Sequence, residues 1–260
     1  MEIESLLRLG AFGGTLLAMM LWELAVPKRP LSQARGARWA RNLGLLFLDT
    51  VFVRVCFPVL AVGLAARFQG QGIGFFNRAE LPWGLEAALA FLALDFIIYL
   101  QHVLFHAVPL LWRFHRVHHA DLDFDATTGN RFHPGEIALS LLIKLAAVAL
   151  LGPSPEVVVA FEVALNACAI FNHSNVGLPG ALDRFVRLFL VTPDMHRVHH
   201  SVVKVETDSN FGFNLPWWDR LFGTYRGDAA AGQTGMTIGL SEFRDPASQG
   251  FFGMLLLPFK

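Results

Sequence analysis

The sequence predicts an all-α protein: about four to five membrane-crossing helices carrying a helical cap on their cytoplasmic side. Composition is the first reason. Of 260 residues, 54% are hydrophobic and 16% charged, and the mean hydropathy is +0.46; soluble domains carry about 25% charged residues. Long apolar runs separated by polar links are the second reason. The third is charge placement, because basic residues crowd the first link and positive loops stay cytoplasmic. With 21 basic and 21 acidic side chains the formal net charge is zero, so no overall field favours a nucleic-acid partner. The chain reads as one integral-membrane domain over 1–260. Its surplus of arginine over lysine, with abundant alanine and glycine, points to a GC-rich bacterial genome, and the expected location of a multi-pass bacterial chain is the inner membrane.

The opening "MEIESLLRLG" is acidic, unlike the basic start of a signal peptide, so the first apolar run is expected to stay in the mature chain. Runs at 9–26, 43–66 and 84–111 each supply the roughly 20 residues that an about 30 Å hydrocarbon core demands. The link 27–42 holds Lys28, Arg29, Arg35, Arg38 and Arg41 and no acid. It marks the cytoplasmic side, which puts the N-terminus outside and the end of the third run inside. Two shorter runs, 137–152 and 157–172, are joined by "PSPE". Helices of that length, roughly 24 Å, either cross as a hairpin or dip in and return; both bring the chain back to the same side. Residues 181–190, "ALDRFVRLFL", predict a short helix at the interface. Residues 227–260 form a tail. Its part 227–249 is the least structured-looking stretch, and "GFFGMLLLPFK" is expected to pack on the domain or the membrane surface. Cys56 and Cys168 sit in apolar runs and predict small buried hydrophobes rather than a disulfide or a metal pair.

All ten histidines fall between 102 and 200. His102 and His106 form HxxxH. His115, His118 and His119 form HxxHH within "HRVHH", and His196, His199 and His200 form it again in a second copy of the same pentapeptide. His133 and His173 stand alone. Positions i, i+3 and i+4 share a helix face, so each cluster aims its imidazoles at one point. Asp95, Tyr99, His102 and His106 fall within about 60° of helical arc. A polar stripe deep in an apolar helix is costly and functional by default, although Asp95 and Tyr99 could instead close a helix–helix hydrogen bond. A lone histidine is more often a satisfied core residue than a ligand, and that reading competes for His133 and His173. A closed zinc site needs about four ligands. Eight to ten histidines therefore suit two ions with open positions, and imidazole alone does not select among zinc, copper, iron and nickel. Asp95, Asp121, Asp194 and Asp208 are the nearby carboxylates that could orient the rings.

The order Asp95-x3-Tyr99-x2-His102-x3-His106, HRVHH, "RFHPGE", "FNHSN", "TPDMHRVHHS" and "TDSNFGFNLPWWDRLFGTY" resembles the fatty acid hydroxylase/sterol desaturase superfamily of integral-membrane di-iron enzymes. The resemblance covers about 95–226, the expected catalytic region. It implies two iron ions held by His102, His106, His115, His118, His119, His196, His199 and His200. His173 matches a further ligand, and His133 a ligand or a close support. Asp95, Tyr99 and Asn210 are the candidate catalytic residues, Asn210 and Gly212 lying in a recurrent turn near the site. Trp218, Asp219 and Arg220 look like an aromatic and ionic lock on the cap.

The resemblance further implies O2 as co-substrate and a lipid drawn from the bilayer, hydroxylated or desaturated at a C–H bond. No GxGxxG or haem motif is present, so electrons must come from an external ferredoxin or cytochrome b5-type protein with its reductase. Two other readings compete. One is a catalytically inactive lipid- or metal-binding relative, which intact histidine boxes disfavour. The other is a metal transporter, disfavoured because the deep charges Asp49, Arg54, Lys144 and Glu162 form no evident ligand set.

Overall fold

A computed structural model describes residues 2–260, leaving aside the side chains at 2, 3 and 5. Among the described residues there are helices and no strands; one isolated bridge joins Ser201 to Ile238. The membrane-level helices are α1 (Glu2–Ala25), α2 (Arg35–Cys56) with its continuation α3 (Ala61–Gln69), α4 (Trp83–Ala107), then α6 (Pro134–Leu151) and α7 (Pro155–Asn172) after a short α5 (Pro109–His119). Among the described residues five stretches are long and apolar enough to cross a membrane, α2 and α3 counting as one. Their outer faces carry the exposed Leu17, Leu21, Phe47, Val55, Leu89 and Leu150, as lipid contact requires.

Proline sets most of the breaks. Pro58, without an N–H to donate, separates α2 from α3, so the expected run 43–66 is two helices. Pro109, Pro134 and Pro155 each open a helix, the position where a missing N–H costs nothing. The run expected at 84–111 accordingly splits at Val108. Helices α6 and α7 are 18 residues each, a hairpin roughly 27 Å deep. It packs on α3 and α4 through small and branched residues: Ala61, Ala65, Leu94, Ile98, Ala147, Val148, Val158 and Phe161.

The cap contains α8 (Gly180–Val186), α9 (Pro193–His199), α10 (Lys204–Thr207), α11 (Trp217–Phe222), α12 (Gly232–Gly235), α13 (Pro246–Gln249) and α14 (Phe251–Leu256). The tail corrects an expectation. Residues 227–249 are an ordered part of the cap: Ala229, Met236 and Ile238 pack with Phe124 and Val198. Gln249 donates to the carbonyls of Ala120 and Phe243. Met254 and Leu257 pack on Leu45, Val117 and Ala120, docking the last helix on the domain as expected. The cysteines correct another. Both are free, but Cys56 is exposed and Cys168 half-buried, because their helix faces point outward.

The basic link folds back onto the cap. Arg38, fully buried, pairs with Asp121 at 2.8 Å and with Asp125, and also reaches Thr128. Asn42 donates to Asp121 and Thr127, and Arg131 to the carbonyl of Val117. This network ties the start of α2 to the loop that follows the first HRVHH. Lys28 meets Asp194 at 3.1 Å beside the second.

Candidate metal centre

Four pieces of chain build the centre. The end of α4 carries His102 and His106, one turn apart. The end of α5 carries His115, His118 and His119. His173 caps α7, and α9 with its following residue carries His196, His199 and His200. Their ring nitrogens form two groups: His102, His106, His115, His119 and His199 in one, and His118, His173, His196 and His200 in the other. Within each group the ligand atoms lie within 4.8 Å of one another. Imidazole binds ions at about 2.1 Å, so ligands of one ion spread over roughly 4 Å. Each HRVHH is shared: one copy gives two rings to the first group and one to the second, and the other reverses the proportion.

Outward hydrogen bonds aim the rings. Nδ1 of His102 faces the carbonyl of Phe211 at 2.8 Å, that of His199 the carbonyl of Ser209 at 2.7 Å, and that of His173 the carbonyl of Ala169 at 2.6 Å. Nδ1 of His115 donates to Glu136 at 2.7 Å, and that of His106 to Asp208 at 3.3 Å. An Nδ1–H committed outward leaves Nε2 a bare lone pair pointing inward. Yet His102 and His115 bring Nε2 to Nε2 at 3.1 Å, as do His106 and His119, and His118 and His173. The Nε2 atoms of His199 and His200 are buried without a partner. In the His102–His115 pair both Nδ1 atoms are committed outward, so two lone pairs face each other and repel unless a cation lies between them. The donor set thus fits metal ions.

Electrostatics agrees. Burial, reinforced by neighbouring imidazoles, pushes His118, His119, His196, His199 and His200 well below the ordinary histidine range. Burial takes His115 to about 3 and His173 to about 4. The rings are neutral, as ligands must be. Aromatic walls keep water out: Phe132 stacks on His118 at 4.5 Å, Phe124 lies 5.0 Å from His200, and Phe211 lies 5.1 Å from His106. Gly129, in the single helical turn Thr128–Asn130, allows that turn to approach the His173 ring closely, since a Cβ there would meet the Ala169 carbonyl at 2.8 Å and the His173 ring at 3.2 Å. On the cap side a cavity of about 310 Å³, lined by His106, Trp112, Lys204, Asp208 and Glu242, opens at the first group.

Other candidates lie elsewhere. His133 caps α6: its Nδ1 accepts from the Gly135 N–H at 2.9 Å, and its Nε2 faces the Leu255 carbonyl at 3.2 Å. It stands outside both groups. Asp95 accepts from Asn214 at 2.9 Å and from the Trp218 indole at 2.8 Å, and Tyr99 bonds Thr224 at 3.0 Å. Asn210, at φ 53, holds the Met195 and Arg226 carbonyls and the Arg226 N–H. These three side chains therefore clamp the loop 209–226 that supplies the carbonyls behind His102 and His199. Asp219 accepts from the N–H groups of Phe211 and Gly212 and from Thr224, so the expected ionic lock is a hydrogen-bonded one. A Cβ at Gly212 would meet Asp219 at 2.9 Å. Of the four carboxylates expected to orient rings, only Asp208 does. Asp95 serves α11, Asp121 serves Arg38, and Asp194 serves Arg197 and Lys28. Sequence reasoning missed Glu136, although it lies one helical turn after His133 in "HPGE"; backbone carbonyls left no sequence signal.

Fold and site together define a multi-pass membrane protein with two histidine groups that could hold metal ions. The chain belongs to the fatty acid hydroxylase family, whose model matches residues 87–224. It is 30% identical over 252 residues to the ornithine lipid hydroxylase OlsE of Rhizobium tropici, covering 94% of this chain and 73% of that one. It is 30% identical over 172 residues to human alkylglycerol monooxygenase, covering 65% of this chain and 37% of that one. Against a cholesterol 25-hydroxylase-like protein of Danio rerio the identity is 34% over 149 residues, 56% of each chain. No solved structure matches it.

Proposed function

We propose that this protein is a lipid hydroxylase that inserts one oxygen atom of O2 into a C–H bond of a bilayer lipid. The observation that carries it is the convergence of nine buried imidazoles into a five-nitrogen and a four-nitrogen group beside membrane-spanning helices. The relatives' names, hydroxylases and monooxygenases of lipids, favour hydroxylation over desaturation. Two iron ions held by these groups would supply the redox chemistry, in which O2 takes up two electrons and two protons, one oxygen entering the C–H bond and the other leaving as water. The electrons come from an external ferredoxin or cytochrome b5-type protein and its reductase.

The protein's own residues do the rest. Phe211, Ser209, Ala169, Glu136 and Asp208 fix the ring tautomers from outside. Asp95, Tyr99 and Asn210 act as positioning residues through loop 209–226, and His133 as a support for α6. Phe124, Phe132 and Phe211 exclude water from the rings. The cap faces the cytoplasm of a bacterial inner membrane, and residues 95–226 form the catalytic region. Mass spectrometry of lipid extracts from cells with and without the gene tests the reading. A lipid class gaining one oxygen atom, lost again in His118→Ala, is expected; unchanged lipid profiles would contradict it.

A further inference from the structure

The two imidazole groups are held differently. In the first, His102, His106, His115 and His199 each have an outward partner: Phe211, Asp208, Glu136 and Ser209. These partners all lie between 136 and 211. Among the described residues only His173 of the second group has one, the Ala169 carbonyl. The Nδ1 atoms of His118, His196 and His200 are buried without a partner. The placement of those three rings therefore depends on the chain packed around them.

That chain is the segment 120–131 after His119, the residues that follow His173, and the start of α9. Glu23, in the last turn of α1, joins the first two. Its carboxylate is buried, and one oxygen accepts from the Ala126 N–H at 2.7 Å and the Asn175 N–H at 2.6 Å. Phe124, two residues before Ala126, stacks on His173 and lies beside His200. The link after α1 adds to the hold. The Lys28 N–H donates to the Asn175 carbonyl at 2.8 Å, and the Arg29 backbone exchanges hydrogen bonds of 3.0 and 2.8 Å with the Asn175 side chain. The Lys28 ammonium reaches Asp194, two residues before His196, at 3.1 Å. A carboxylate buried in an apolar helix is costly and functional by default. Glu23 has no ion-pair partner to explain it, its second oxygen being buried without a donor.

We propose that Glu23 is a positioning residue for the second imidazole group, and that α1 with its link is the part of the chain that shapes the site of one ion and not the other. Glu23 bolts the loop behind His118 and His119 to the loop behind His173, and Lys28 extends the clamp to the helix of His196 and His200. The clamp lies outside the matched residues 87–224. The proposal rests on the two-ion centre of the lipid-hydroxylase reading and assigns that centre a residue outside the histidine boxes.

The test is metal affinity of the full chain in detergent, titrated with ferrous iron against a competing chelator in the absence of oxygen. The unaltered protein is expected to bind two ions. In Glu23→Met one of the two affinities should fall roughly tenfold to a hundredfold, as when a group behind a ligand is lost, and the other should hold. Glu23→Gln should keep both, because its amide oxygen can still accept from the two N–H groups. General loosening of the fold would weaken both ions, so His118→Ala, which already lacks the second, is the decisive background. There Glu23→Met should leave the remaining ion as tightly held as before. Lys28→Met, a milder cut of the same clamp, should weaken the same ion by less. One readout on the unaltered protein needs no variant to fold: by linkage, iron should slow hydrogen exchange at the Ala126 and Asn175 amides. Two unchanged affinities in Glu23→Met, or two equally weakened, would overturn the proposal, as would exchange at these amides indifferent to iron. The failures separate. An unaltered protein that binds no iron rejects the two-ion centre; two ions bound equally with and without the Glu23 carboxylate reject only the clamp.

Discussion

The two HRVHH pentapeptides share a sequence and differ in what surrounds them. The first ends an eleven-residue helix, α5; the second lies at the end of a seven-residue one, α9. In both, the three histidines face the two imidazole groups and the valine points the opposite way, as about 200° of helical rotation from the first histidine requires. Val117 and Val198 are both fully buried, one against Leu45 and Met254, the other against Phe124 and Ile238. The arginines diverge. Arg116 is half-buried, holds the carbonyls of Leu257 and Lys260, and lies over Phe243. Arg197 is fully buried, pairs with Asp194 at 2.5 Å, and holds the carbonyls of Ser174 and Val176 on either side of Asn175. The pentapeptide is thus a three-sided device: ligands on one face, a core anchor on the other, and a strap between. One strap ties down the chain's end; the other ties the loop after His173.

The largest effects should fall on what the copies share. His118→Ala and His199→Ala, one from each copy, should both abolish lipid oxidation. They should differ in metal content, because His118 leaves three imidazoles in its group and His199 leaves four. Equal metal loss in the two variants would break the two-group arrangement.

Acid should act on both copies together. Imidazoles whose folded pKa lies below the ordinary value of about 6.5 bind fewer protons folded than unfolded. The metal-stripped protein should therefore be fully stable above about pH 6.5 and lose several kcal/mol by about pH 4, as His115 and His173 approach values of about 3 and about 4. Thermal unfolding of the chelated protein against pH checks this; a flat profile would mean rings more exposed than described.

Arg197→Ala leaves the buried Ser174 and Val176 carbonyls and one oxygen of Asp194 without their donor, while Lys28 stays on the other oxygen, and should cost roughly 3 kcal/mol. Val117→Ala and Val198→Ala should each cost roughly 2 kcal/mol, alike because their burial is alike. Arg116→Ala should cost less, about 1 kcal/mol, because the side chain is half-buried and one of its two partners, the Lys260 carbonyl, is exposed. Thermal unfolding in detergent ranks all four. An Arg116 effect as large as that of Arg197 would erase the distinction between the straps.

The helical bundle was legible because hydrophobic length acts locally, whereas the breaks at Pro58 and Pro109 fell inside two runs expected to be continuous. So were eight of the nine histidines that converge, since i, i+3 and i+4 spacing fixes a shared face; His173 stands alone and was reached only through the family resemblance. The division into a group of five and a group of four was not legible. It depends on how α4, α5, α7 and α9 meet in space, and it cuts across each box. Asp121 and Asp194 sit beside the boxes in sequence, yet Arg38 and Arg197 claim them; Glu136, twenty-one residues from His115, is the carboxylate that arrives. The tail looked loose because its anchors, Met236, Ile238 and Gln249, are isolated among small and polar residues.

Metal analysis of the purified full-length protein tests the centre most directly. Two ions per chain are expected, falling to about one in His118→Ala and unchanged in His133→Ala, whose ring lies outside both groups. Metal-free protein that still oxygenates lipid, or an ion lost with His133, would contradict it.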